Sequence, residues 1–102
     1  MKIVINKCYG GFGISDECAK ALGAKIVESP LWGTSQEFPD DKRPSDYRTD
    51  KRLIELMETK GSEWCSGYCT ELKVVEIPDD IEWEIEEYDG VEWVSEFHRT
   101  WG

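Results

Sequence analysis

Two stretches of this chain, together with Arg48 between them, hold the residue types that could bind a small charged molecule. The first is Asn6-Lys7-Cys8-Tyr9-Gly10-Gly11-Phe12-Gly13-Ile14-Ser15, a glycine-rich run that leads out of an apolar segment and into a helix start. Such a turn exposes backbone N–H groups to an anion, and the helix dipole adds to the attraction. The second is the tail Glu96-Phe97-His98-Arg99-Thr100-Trp101. An indole there can stack on a planar ligand, and the adjacent guanidinium can read a phosphate or carboxylate with two parallel bonds. Arg48 supplies a further cation. Tyr9, Gly10, Gly11, Phe12, Gly13, Arg48, Glu96, His98, Arg99 and Trp101 therefore form the candidate ligand-binding set, and a nucleotide-like molecule is the ligand they suit.

Each of these residues also has a plainer use. The glycines can make a tight turn that packs Phe12, and Asp16 and Glu17 already sit at the positive end of the helix dipole, where they would repel a phosphate. His98 can hydrogen-bond Glu96 or a tyrosine, and Arg99 can pair with one of the many glutamates. Catalysis has less support than binding. No Gly-Lys-Ser/Thr closes the glycine run, which excludes a Walker-type NTPase, and the dinucleotide fingerprint also fails. Glu96 and His98 could share a proton, but without a nucleophile, metal or second acid they give no mechanism. Of Cys8, Cys18, Cys65 and Cys69, only the last two have the spacing of a zinc knuckle, so the expectation is buried, reduced thiols with no metal and no cofactor.

The elements that position these residues are legible from patterning. Lys2 to Cys8 reads as a central strand, apolar on both faces at Ile3, Val4 and Ile5. Ser15 caps a short helix through Leu22 that Gly23 closes, and Lys25 to Glu28 is a brief strand. Residues 29–49 hold three prolines and the cluster Asp40-Asp-Lys-Arg43, and read as a long surface loop. A second helix starts at Asp50, presents Leu53, Ile54, Leu56 and Met57, and runs past Gly61 toward Cys65. Glu71 to Ile77 is a strand. From Ile81 to Trp101 the alternation of apolar and polar residues around Asp89-Gly90 predicts a hairpin with a type I′ turn. Counting outward pairs Tyr88 with Val91, Ile85 with Val94, Trp83 with Glu96 and Ile81 with His98. The rival is a C-terminal helix capped by Asp89 with Glu92 at N3. The expected fold is α+β: a single small domain over residues 1–102 with a four- or five-stranded mixed sheet, a C-terminal β-hairpin, and two helices on one face.

The formal net charge is −10, from 22 acidic and 12 basic residues. Its placement matters more than its size. Between Glu71 and Glu96 lie eleven acids and one base, Lys73, whereas the remaining residues balance. That excess is either a solvated outer face, as soluble proteins commonly carry, or an acidic surface that mimics nucleic acid or docks on a basic partner. It also argues against direct nucleic-acid binding. No apolar run approaches the ~20 residues of a membrane span, and Met1-Lys2-Ile3 leads straight into a strand, so the expected location is the cytoplasm, away from the membrane.

Three motifs together, Lys2-Ile-Val-Ile-Asn-Lys-Cys-Tyr-Gly-Gly-Phe-Gly-Ile-Ser15, Leu72-Lys-Val-Val-Glu-Ile-Pro-Asp79 and Tyr88-Asp-Gly-Val-Glu-Trp-Val-Ser-Glu-Phe-His-Arg-Thr-Trp101, resemble a family of small uncharacterised proteins encoded by bacteriophages and prophages. The resemblance implies an accessory protein of the host cytoplasm, where countering bacterial defence is a common task. Two functions are expected on that basis. The first is non-enzymatic binding of a small ligand, such as sequestration of a nucleotide-derived defence signal. The alternative is an acidic inhibitor that occludes a host or defence protein through Glu82, Glu84 and Glu86. Self-association as a homo-oligomer is compatible with both.

Overall fold

The computed structural model describes residues 1–31 and 33–96, and the backbone of residues 100–101. The chain is a small α+β protein. In order it forms β1 (Lys2–Asn6), α1 (Asp16–Ala21), β2 (Lys25–Ser29), β3 (Gly33–Glu37), two 3-10 turns (Pro39–Asp41 and Pro44–Tyr47), α2 (Lys51–Lys60), α3 (Ser62–Cys65), β4 (Leu72–Glu76), β5 (Glu84–Tyr88), β6 (Val91–Ser95) and β7 (Thr100–Trp101). His98 and Arg99 lie outside the described residues, as does the expected pairing of Ile81 with His98.

Among the described residues the strands form three antiparallel sheets, β1-β4, β2-β3 and β5-β6-β7, where the sequence suggested one mixed sheet. The reason lies at the edge of β1 that faces away from β4. There the Val4 N–H donates to the carbonyl of Arg48 at 2.8 Å, and the Asn6 N–H donates to the Glu92 carboxylate, also at 2.8 Å. A loop carbonyl and a side chain satisfy the groups that a further strand would have paired.

β1 is apolar on both faces because both are covered. Val4 joins a cluster with Ile14, Cys18, Leu22, Phe38, Tyr47, Leu53 and Leu72, on the side of the helices. Ile3 and Ile5 join Val75, Ile77 and Val94 on the other side, with Ile81, Trp83 and Ile85 packed against them. The hairpin is thus docked on the β1-β4 sheet through the face that alternation assigned to it.

The hairpin turns at Asp89 (φ 49°) and Gly90 (φ 94°), both left-handed, as a type I′ turn requires. Tyr88 pairs with Val91 and Ile85 with Val94, but the ladder ends at Glu84–Ser95, short of the expected Trp83–Glu96 pair, and Thr100–Trp101 pair antiparallel with β6 instead of extending the ladder with β5. The extended backbone of Val91–Ser95 rules out the rival helix. Helix caps also follow the sequence: the Ser15 hydroxyl accepts from Cys18 N, and the Asp50 carboxylate accepts from Arg52 N at 2.8 Å.

Two expectations need correction. The second helix does not run through Gly61, which adopts φ 92° and splits it into α2 and α3. Residues 29–49 are not a plain loop either. They contribute β3, which pairs with β2, and both 3-10 turns, and they bury Phe38 and Tyr47 with ring centroids 5.1 Å apart. Pro39 and Pro44 start the 3-10 turns instead of interrupting structure, and Pro30 falls in the connection between β2 and β3.

Candidate functional site

The glycine-rich junction, the loop before α2 and the hairpin meet at one place, around Asn6, Phe12, Arg48 and Glu92. β6 carries Glu92 on the same inward face as Val94, and it is buried at 6% exposure. Arg48 follows the second 3-10 turn and reaches the same point. Its Nη1 donates to Glu92 Oε1 at 2.6 Å and to the Val4 carbonyl at 3.2 Å, and its Nη2 donates to Glu92 Oε2. The Phe12 ring lies against the guanidinium, 4.3 Å from Cζ to centroid. Both charges are thus withdrawn from water, matched with two parallel bonds, and covered by an aromatic face.

Asn6, fully buried, completes the node. Its amide nitrogen donates to the carbonyls of Cys8 (2.7 Å) and Gly90 (2.8 Å), and its amide oxygen accepts from Cys8 N (3.1 Å) and Glu71 N (3.0 Å). Two donors and two acceptor positions are the whole capacity of the group. One side chain therefore ties the glycine junction to β4 and to the hairpin turn.

The glycines at the junction serve close backbone approach. A Cβ on Gly10 would lie 1.9 Å from the Cys69 carbonyl oxygen, and one on Gly90 would lie 2.5 Å from Gly11 N. Thr70 Oγ1 donates to the Gly11 carbonyl at 3.0 Å, and Gly67 N donates to the Gly13 carbonyl at 3.3 Å. Neighbouring backbone fills the space beside Gly10, and Gly90 stands close to the Gly11 N–H, although the position of a Gly11 Cβ is itself open.

The structure therefore divides the candidate set. Gly10, Gly11, Phe12, Gly13 and Arg48 come together, with Phe12 and Arg48 in direct contact, and Tyr9 stands beside them at 74% exposure. Arg48 is committed to Glu92 and Val4 instead of standing free as a cation. Glu96 belongs to the other end of the hairpin, about 20 Å from the turn at roughly 3.3 Å per residue. There it lines an open cavity of about 240 Å³ with Glu82, Trp83, Glu84 and Ser95. The Trp101 backbone pairs with Val94, on the far edge of β6 from β5.

Sequence reasoning missed Glu92 and Asn6. The signal for Glu92 was present in the hairpin count, which places it opposite Glu87 on the face of Ile85 and Val94. A carboxylate held on an apolar face needs a cation, and Arg48 is that cation.

The cysteines divide by burial. Cys18 and Cys65 are fully buried, and desolvation raises both thiols; for Cys18, with the neighbouring Cys65 adding to the effect, the value reaches about 12. Cys8 is half-buried and Cys69 exposed. Among the described residues no group of three or more His, Cys, Asp or Glu side chains is placed to hold a metal ion, and no helix is long and apolar enough to cross a membrane.

Fold and site together define a small α+β protein with a sealed arginine–glutamate node and an acid-rich hairpin facing solvent. No protein-family model, curated protein or solved structure matches this chain.

Proposed function

We propose that this chain is a non-enzymatic binding protein that docks on a basic protein partner through its C-terminal acidic surface. One observation carries this reading. Of the eleven acids between Glu71 and Glu96, nine are exposed, and Arg48, a cation that sequence pattern offered for ligand binding, is neutralised inside by Glu92. Exposed charge of one sign steers encounter with an opposite partner and discriminates against like-charged ones. In the phage context that the sequence resemblance implies, the partner is a host or defence protein met in the host cytoplasm, and the acidic surface either occludes it or stands in for nucleic acid. Binding to an arginine-rich peptide should weaken steeply as salt rises through the physiological range, where the screening length is ~8 Å. Salt-independent binding, or none, would contradict the reading.

Sequestration of a small nucleotide-like ligand is the second reading. It is favoured by β7, whose pairing sets the Trp101 backbone beside Val94 and extends the hairpin at the end where Glu96 lines a cavity. The carboxylates of that cavity work against a phosphate. A thermal-shift screen with nucleotide second messengers decides it: a stabilisation that grows with the logarithm of ligand concentration and disappears in Arg99→Ala and Trp101→Ala supports sequestration.

A further inference from the structure

Three of the chain's four tyrosines are exposed, Tyr9 at 74%, Tyr68 at 97% and Tyr88 at 69%, whereas Tyr47 is buried. Single exposed aromatics are ordinary on protein surfaces. These three stand on segments that the backbone brings into contact with one another. Gly10, next to Tyr9, packs on the carbonyl of Cys69, next to Tyr68; Gly11 packs on Gly90, two residues beyond Tyr88.

The convergence is held firmly. Asn6 bonds the carbonyls of Cys8 and Gly90 and the N–H of Glu71, and Thr70 bonds the Gly11 carbonyl. Cys69 and Asp89 are held at φ 55° and 49°, a conformation that non-glycine residues adopt at a cost. Rigid, glycine-spaced loops that present tyrosines give contact area at small entropic cost on binding, because the backbone is already ordered.

Charge indicates the occupant. The three segments carry the exposed carboxylates of Glu71, Glu86, Glu87 and Asp89, with Lys7 as the base among them. Tyrosine faces attract cations, and a planar guanidinium both stacks on the ring and pairs with a carboxylate, which an ammonium does less well.

We infer that Tyr9, Tyr68 and Tyr88 form a docking platform for an arginine-bearing segment of a partner protein. The inference rests on the acidic-docking reading above and assigns its aromatic anchors.

The test uses a glycine–serine peptide carrying regularly spaced arginines and its lysine twin of equal charge, each titrated calorimetrically into the full chain at fixed ionic strength. The arginine peptide should bind about fivefold more tightly than the lysine twin. Replacing all three tyrosines by alanine should abolish that preference without lowering the melting temperature, since all three are exposed, and replacing them by phenylalanine should keep it. Equal affinity of the two peptides for the native chain, or a preference that survives the alanine variant, overturns the platform. If both peptides bind equally and both are lost on reversing Glu82, Glu84 and Glu86 to lysine, the platform falls and acidic docking stands. If neither peptide binds the native chain, both fall.

Discussion

Arg48 and Glu92, 44 residues apart in sequence, form a two-pronged ion pair whose side chains are 14% and 8% exposed. The pair closes the edge of β1 that β4 leaves open, through the Arg48 carbonyl, the Arg48 guanidinium and the Glu92 carboxylate. It therefore fixes the hairpin against the rest of the molecule, and the orientation of the exposed acidic surface depends on it.

Arg48→Met should leave the Glu92 carboxylate buried without its cation, at a cost of about 3 to 5 kcal/mol. Glu92→Met should strand the guanidinium with a similar loss. The double variant should be more stable than the sum of the two losses predicts, by more than about 1 kcal/mol, because neither charge is then orphaned. Denaturant unfolding of all four proteins measures this, and strict additivity would mean that the two side chains act independently.

The glycine junction gives a second prediction. Gly10→Ala forces a Cβ against a backbone carbonyl that cannot swing aside, whereas Gly11→Ala meets no neighbour and adds only the strain of φ 83°. The first should cost clearly more than the second, whose penalty should be about 1 kcal/mol. A ligand cradle would behave differently. There, Gly10→Ala would leave the melting temperature intact and impair binding alone.

Cys18 links the core to pH. Its thiol ionises near 9.0 in the unfolded chain and near 12 in the fold, so between those values the native state holds a proton that the unfolded state gives up. The contribution is fully present below pH 9.0 and is lost as pH rises toward 12. Cys18→Ala should therefore show a shallower fall in stability over that range than the native chain. At neutral pH a thiol reagent should modify Cys69 readily and leave Cys18 and Cys65 untouched until the protein unfolds. Labelling of Cys18 or Cys65 at the rate of Cys69 would contradict their burial.

Local chemistry made part of this structure legible from sequence. Asp89-Gly90 set the hairpin register because a two-residue turn with two positive φ angles leaves little choice, and Ser15 and Asp50 marked helix starts because their side chains satisfy open N–H groups. The buried node was not legible in the same way. Arg48 appeared as a free cation because its partner lies far along the chain, and the glycines appeared open because Cys69 and Gly90 fill the space only after folding. Residues 29–49 lacked periodicity, yet Phe38 and Tyr47 supply two anchors that draw the segment into the core. The helix through Gly61 failed for a related reason, since a glycine can either continue a helix or end it at positive φ, and packing decides which.

The central claim, that function resides in the C-terminal acidic surface and not in net charge at large, is tested most directly by two variants of equal net charge. One reverses Glu82, Glu84 and Glu86 to lysine; the other reverses Glu17, Glu28 and Glu37, which are also exposed but lie on α1, β2 and β3. Calorimetric titration of each with the arginine peptide gives the answer. The account predicts a loss of more than about tenfold in affinity for the hairpin variant, larger than the ~1.4 kcal/mol that a factor of ten represents, and little change for the other. Equal losses in the two variants, or undiminished binding by the hairpin variant, would contradict it.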